Sequence, residues 1–166
     1  MHLMAAPYLA AALLLVVAGV AKAIDPLSLA RALRTAGVPL RGPVLTQVVR
    51  VVAAVEAVIG GVAVVMPGRL PAMAVALSYA GFTAFVLRAL RSGSPLASCG
   101  CFGKTDTPPT RTHVAVTATL SIAAAVVVVS PQGPPVGFAL LVVTGVLAYL
   151  TYLVLAVLPL TSAVSR

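Results

Sequence analysis

Five long apolar stretches constrain this chain more than any motif in it: Leu3–Ile24, Val44–Met66, Ala72–Leu90, Thr112–Val129 and Val136–Leu158. Each is close to the roughly 20 residues an α-helix needs to cross about 30 Å of hydrocarbon. Backbone polar groups can be satisfied there only in a helix or a closed barrel, and a barrel needs segments of about ten residues with apolar and polar positions alternating. Nothing here alternates. The pattern therefore predicts an all-α, polytopic transmembrane helical bundle with five spanning helices, folded as a single integral membrane domain over 1–166. A soluble fold is excluded because 61% of the residues are hydrophobic and only 8% charged, against roughly 25% charged in soluble domains.

The formal charge of +8 does not point to nucleic acid. The Lys and Arg residues are single and flank the apolar runs, with no basic face interleaved with aromatics. In that position they meet lipid headgroups and set topology. Arg31, Arg34, Arg41, Arg91, Lys104, Arg111 and Arg166 fall on the side of the two long connections, whereas the opposite side has only Arg69 in a loop. The positive-inside rule then places the long connections in the cytoplasm, in a multi-pass protein of a bacterial-type plasma membrane. The first stretch lacks a basic leader and is longer than a signal-peptide core, so it is expected to stay as an anchor.

Two connections, Pro67–Pro71 and Ser130–Pro135, are short and rich in Pro and Gly, as tight helical hairpins require. Asp25–Pro43 is longer. Asp25 and Pro26 suit the N-cap and first position of a short interfacial helix, with Leu27, Ala30 and Leu33 on one face and Ser28, Arg31 and Arg34 on the other, ending near Gly37 and Pro39. Small residues inside the spans, Gly60-Gly61 and Gly145, are candidate points of close helix contact.

The Arg91–Arg111 connection holds both cysteines, in Ser98-Cys99-Gly100-Cys101-Phe102-Gly103. Gly100 lets the two thiols approach, and a disulfide closing so small a ring would be strained and labile, which suits thiol–disulfide exchange. Binding of Cu(I) or Zn by the thiolates is the rival reading, but no nearby residues complete a tetrahedral set; an inert structural turn is the third. Glu56 lies near the middle of the second span, where an ionisable group is costly and marks either a polar clasp between helices, with Tyr79 at matching depth, or proton or ligand handling. Lys22, Arg50 and Arg88 lie near one membrane face and either snorkel to phosphates or form a basic vestibule for an anion or a quinone carbonyl. His2 and His113 read as interfacial polar residues. Phosphate-cradling loops, nucleophile elbows, paired carboxylates and CxxC are absent, which removes hydrolase, kinase and ATPase readings.

With these residues in view, the chain resembles the MauE branch of the MauE/DoxX family of small integral membrane proteins. The resemblance rests on Lys22 and Pro26, on Val38-Pro39, on Glu56 and Gly60, on Leu87-Arg88, and above all on Cys99-Gly100-Cys101-Phe102-Gly103. Ser98 stands where the family carries Asp, and Thr112 where it carries Asn. Four spans fall within the resemblance, and the fifth lies outside it. It implies a thiol redox or maturation factor associated with methylamine utilisation, with Cys99 and Cys101 as the redox pair and Glu56, Lys22 and Arg88 in support; Tyr79 joins the supporting residues through its depth opposite Glu56. The implied electron partner is a quinone or a thioredoxin-like protein, and the implied client is a disulfide-containing protein. A factor serving exported clients presents its cysteines outside, whereas the basic residues place them inside, and the expected side is the cytoplasmic one that the charges set. The alternative function is a non-catalytic accessory subunit of a larger membrane complex.

Overall fold

The computed structural model describes residues 5–35, 37–91, 110–129 and 138–156. Every regular element among them is an α-helix: α1 (Ala5–Ile24), α2 (Leu27–Thr35), α3 (Gly42–Val65), α4 (Arg69–Arg91), α5 (Arg111–Val129) and α6 (Phe138–Ala156). α1, α3, α4 and α5 are long and apolar enough to cross a membrane, and α6 contributes a shorter apolar stretch, Leu140–Leu155. A polytopic helical bundle is therefore what the chain forms.

Helix starts differ from the sequence expectation where proline sits in the first turn. α4 begins at Arg69, before Pro71, and its first bond runs from Ala72 N–H to the Gly68 carbonyl. Pro71 thus falls among the N–H groups that have no intrahelical partner, and costs nothing there. α3 likewise begins at Gly42, with Leu45 N–H donating to Arg41 across Pro43. α5 starts one residue after Thr110, whose Oγ1 accepts from His113 N–H at 3.3 Å, an N-cap.

α2 ends as its sequence suggests. Gly37 takes φ +87°, the left-handed region that favours glycine. Its N–H donates to Arg34 at 3.0 Å, and Val38 N–H to Leu33 at 3.0 Å, which closes the last turn as a Schellman motif. The packed face is a correction. Ser28, Ala30 and Ala32 are buried and Leu27 is exposed, while Leu29, Leu33 and Val38 close over Ala30, Leu45 and Val49 at the start of α3. α2 therefore lies against a part of α3 that extends beyond the end of α1.

α1 is the central helix: 56% of its apolar window is buried, against 22–33% for the other three spans. It touches α3, α4, α5 and α6. Tyr8 Oη donates to Ala63 O at 3.3 Å, while Gly60 lies over Ala12 and Gly19 over Ala53, so α1 and α3 are antiparallel. Ser121 Oγ reaches Ala76 O and Thr83 Oγ1 reaches Thr117 Oγ1, each at 2.9 Å, which makes α4 and α5 antiparallel as well. The core is built from small and medium side chains, among them Tyr8, Ala12, Leu15, Val75 and Leu120.

The outer surface is apolar, with Val55 and Val58 on α3, Leu77 on α4, Ile122 on α5 and Leu141 and Val146 on α6 all exposed. In water that continuous surface would drive association, and in a bilayer it faces its natural solvent. Arg31, Arg34, Arg41, Arg88, Arg91 and Arg111 are exposed around the end of the bundle where the two long connections attach, here called the loop end. Tyr79 ties the core together by donating to the Ala11 carbonyl at 2.9 Å. Tyr79→Phe is expected to lower stability by about 1 kcal/mol, read as a lower thermal midpoint in mild detergent; an unchanged midpoint would show that this bond contributes nothing.

Candidate functional site

The site is assembled from the central helix outward. Lys22 lies in the last turn of α1 and is 2% exposed. Its ammonium donates to Oε2 of Glu56, which sits on the facing side of α3 and is 9% exposed, and the two form a buried ion pair. On α4, the Phe82 ring centroid lies 4.5 Å from Lys22 Nζ. The lysine charge is thus met by a carboxylate on one side and an aromatic face on another, the compensation a buried cation requires. Tyr79 packs edge-on against Phe82 at 5.6 Å and 90° and fixes the ring.

Lys22 and Glu56 meet because α1 and α3 approach at backbone distance. A Cβ on Gly19 would stand 2.6 Å from Ala53 O, and one on Gly60 would stand 2.6 Å from Ala12 O. Two glycines, one on each helix, bracket the crossing and bring the helices close enough for the pair to form. Gly60 was expected as a contact point. Gly61 and Gly145 face open space, and Gly19 completes the crossing in their place.

Two spaces flank the pair. On the inner side a cavity of about 30 Å³ is bounded by Lys22, Tyr79, Phe82, Val86, His113 and Thr117. That is room for about one or two waters, with several polar partners. His113 is 2% exposed, its Nδ1 is 2.8 Å from Thr110 Oγ1, and its backbone carbonyl accepts from Thr117 at 2.7 Å. On the outer side a groove of about 440 Å³ opens between α3 and α4, lined by Val51, Val55, Glu56, Ser78, Gly81 and Phe82 among others. Glu56 faces the groove, Lys22 faces the cavity, and Phe82 borders both.

Several expectations change. The partner of Glu56 is Lys22 rather than Tyr79, whose hydroxyl serves Ala11. Lys22 does not snorkel, because α3 and α4 close over it. No vestibule of Lys22, Arg50 and Arg88 forms: Lys22 is enclosed, while Arg50 and Arg88 are exposed. His113, expected at the interface, is buried on the cavity, and Phe82, one apolar residue among many in its span, stands over Lys22. Opposite charges inside two successive apolar runs were the available signal for the pair. Cys99 and Cys101 lie outside the described residues. Among the described residues no cluster of three or more His, Cys, Asp or Glu could hold a metal ion.

Fold and site together define a multi-pass helical membrane protein built around a lysine–glutamate pair enclosed within its bundle. The family described as methylamine utilisation protein MauE matches residues 1–131, and the chain belongs to that family. Comparison with curated proteins and with solved structures gives no match. The matched region ends just after α5, so α6 lies beyond it. Lys22, Glu56 and Gly60, three of the residues that carry the resemblance, all belong to one helix crossing and its ion pair.

Proposed function

We propose that this chain is a membrane-embedded thiol–disulfide redox or maturation factor associated with methylamine utilisation, in which Cys99 and Cys101 exchange a disulfide with a partner protein. The observation that carries the reading is Cys99-Gly100-Cys101-Phe102-Gly103 inside the family match, in the connection from Arg91 at the end of α4 to Thr110 at the start of α5. That connection joins the bundle at the end where Lys22 closes α1 and His113 opens α5. In the exchange, a thiolate of the partner attacks the Cys99–Cys101 disulfide and forms a mixed disulfide. The second partner thiolate then resolves it, leaving both cysteines reduced and the partner oxidised. A quinone or a thioredoxin-like protein takes up the two electrons and restores the disulfide. Arg91 and Lys104, close in sequence, favour the thiolate. The exposed arginines of the loop end support a cytoplasmic cysteine face.

Cys99→Ser and Cys101→Ser are expected to behave differently from the double variant. One single variant traps a partner as a mixed disulfide visible by mass spectrometry after affinity purification, and the double variant traps none while keeping the bundle's thermal midpoint. A membrane-impermeant thiol reagent applied to intact cells should leave the cysteines unlabelled until permeabilisation. If neither single variant captures a partner and the pair never oxidises in membranes, the exchange reading fails. The second reading, an accessory subunit, then gains from the mutual satisfaction of Lys22 and Glu56, which lets that pair serve assembly alone.

A further inference from the structure

We propose that the groove between α3 and α4 holds an anionic phospholipid of the loop-end leaflet, with one acyl chain in the groove and its phosphate on Arg88. The groove opens toward lipid between Val51, Val52 and Val55 on α3 and Leu77 and Gly81 on α4, and its volume of about 440 Å³ leaves room for one acyl chain. Its two polar side chains already have partners within the protein. Ser78 Oγ donates to the Ala74 carbonyl at 2.9 Å, and the charge of Glu56 is met by Lys22. The walls therefore suit a hydrocarbon guest, which brings no polar group to be stranded there.

One stripe of α4 joins the groove to a positive charge. Leu77, Gly81, Ala84 and Arg88 follow one another at i, i+4, i+7 and i+11, and all four are exposed. Arg88 thus stands about 20° around the helix from Gly81 and about 10.5 Å nearer the loop end. From Leu77 to Arg88 the stripe runs about 16.5 Å, close to the roughly 15 Å of hydrocarbon in one leaflet. A guest that fills it has an apolar tail one leaflet long and a negative head at the loop end. Glu56 agrees with that placement: it pairs with Lys22 in the last turn of α1, so it lies beneath the head as half of a neutral pair and does not repel an anion. Charge complementarity sets the head. Arg34, Arg41 and Arg91 are exposed at the same end as Arg88, while Asp25 and Glu56 are the only acidic residues among the described ones. A zwitterionic headgroup brings its own ammonium to these arginines and gains less from them.

The test is photocrosslinking of the purified full chain in phosphatidylcholine nanodiscs that carry a minor amount of phosphatidylglycerol with a diazirine in its acyl chain. Adducts are located by peptide mass spectrometry, and phosphatidylcholine bearing the same chain is the matched probe. Phosphatidylglycerol is expected to label residues 51–59 or 77–82 at least about fivefold more than phosphatidylcholine, the worth of one arginine–anion contact at a membrane surface. Arg88→Gln should remove most of that preference, whereas Arg111→Gln, which alters an exposed arginine of the same end on α5, should leave it unchanged. Gly81→Leu fills the groove at a position where an added Cβ meets nothing within 4 Å, so the bundle is kept and the groove adducts are lost. Gly61→Leu, equally open and outside the groove lining, keeps them. Equal labelling by the two probes, or an undiminished preference in Arg88→Gln, overturns the proposal in favour of bulk lipid. Absence of groove adducts from both probes overturns it in favour of another helix seated there. Labelling is read without thiol turnover, so its outcome and that of exchange at Cys99 and Cys101 are separate results.

Discussion

Lys22→Met is expected to destabilise the bundle by about 3–5 kcal/mol, because it leaves the Glu56 carboxylate enclosed without its counter-charge. Glu56→Leu should cost a similar amount by stranding the ammonium, with only the Phe82 face to meet it. The double variant Lys22→Met/Glu56→Leu is expected to recover most of the loss, since two apolar side chains need no mutual compensation in that position. The measurement is a double-mutant cycle on thermal or denaturant unfolding in mild detergent. A large coupling energy is the predicted result. Additive losses, or single variants within about 1 kcal/mol of the parent, would show that the two groups do not depend on each other. Full recovery of stability with loss of thiol exchange in the double variant would separate a functional from a purely structural role for the pair.

Adjacent glycines in α3 should respond with opposite signs. Gly60→Ala puts a Cβ 2.6 Å from the Ala12 carbonyl and 2.9 Å from Val16 N, both backbone atoms that cannot turn aside. Helices α1 and α3 must then separate, at a cost of about 3 kcal/mol, and the Lys22–Glu56 contact is lost with them. Gly19→Ala meets Ala53 O and Ala57 N in the same way and should do equal damage. At Gly61 a new Cβ meets nothing within 4 Å, so Gly61→Ala should stabilise by about 0.5–1 kcal/mol through helix propensity alone. Thermal midpoints of the three variants decide the matter. Equal effects at Gly60 and Gly61 would contradict the crossing geometry.

The site was legible in part. Lys22, Glu56 and Tyr79 stand out in the sequence because polar side chains inside apolar runs have few bland explanations. Their partnerships do not stand out. Glu56 faces α1 rather than α4, and that depends on which helix packs beside α3, which no spacing within α3 records. His113 looks interfacial because it opens a helix, yet it is buried beneath Val86 and Leu155, contributed by two other helices. Phe82 is one of many apolar residues in α4 until the structure places it over a cation.

The chain by itself determined that it forms membrane-length helices and where they stop, since apolar length and the placement of Pro and Gly act locally, within a turn or two of each residue. The end of α2 at Gly37 is the clearest case: one glycine with positive φ closes the helix, whatever packs around it. Tertiary structure alone decided which face of each helix looks inward. The spans are apolar nearly all round, so hydrophobic periodicity carries little information about facing. Neighbouring positions such as Gly60 and Gly61 differ by about 100° of rotation. That rotation sets one against the backbone of α1 and the other against open space, and only the antiparallel packing of α1 on α3 joins Lys22 to Glu56 across it.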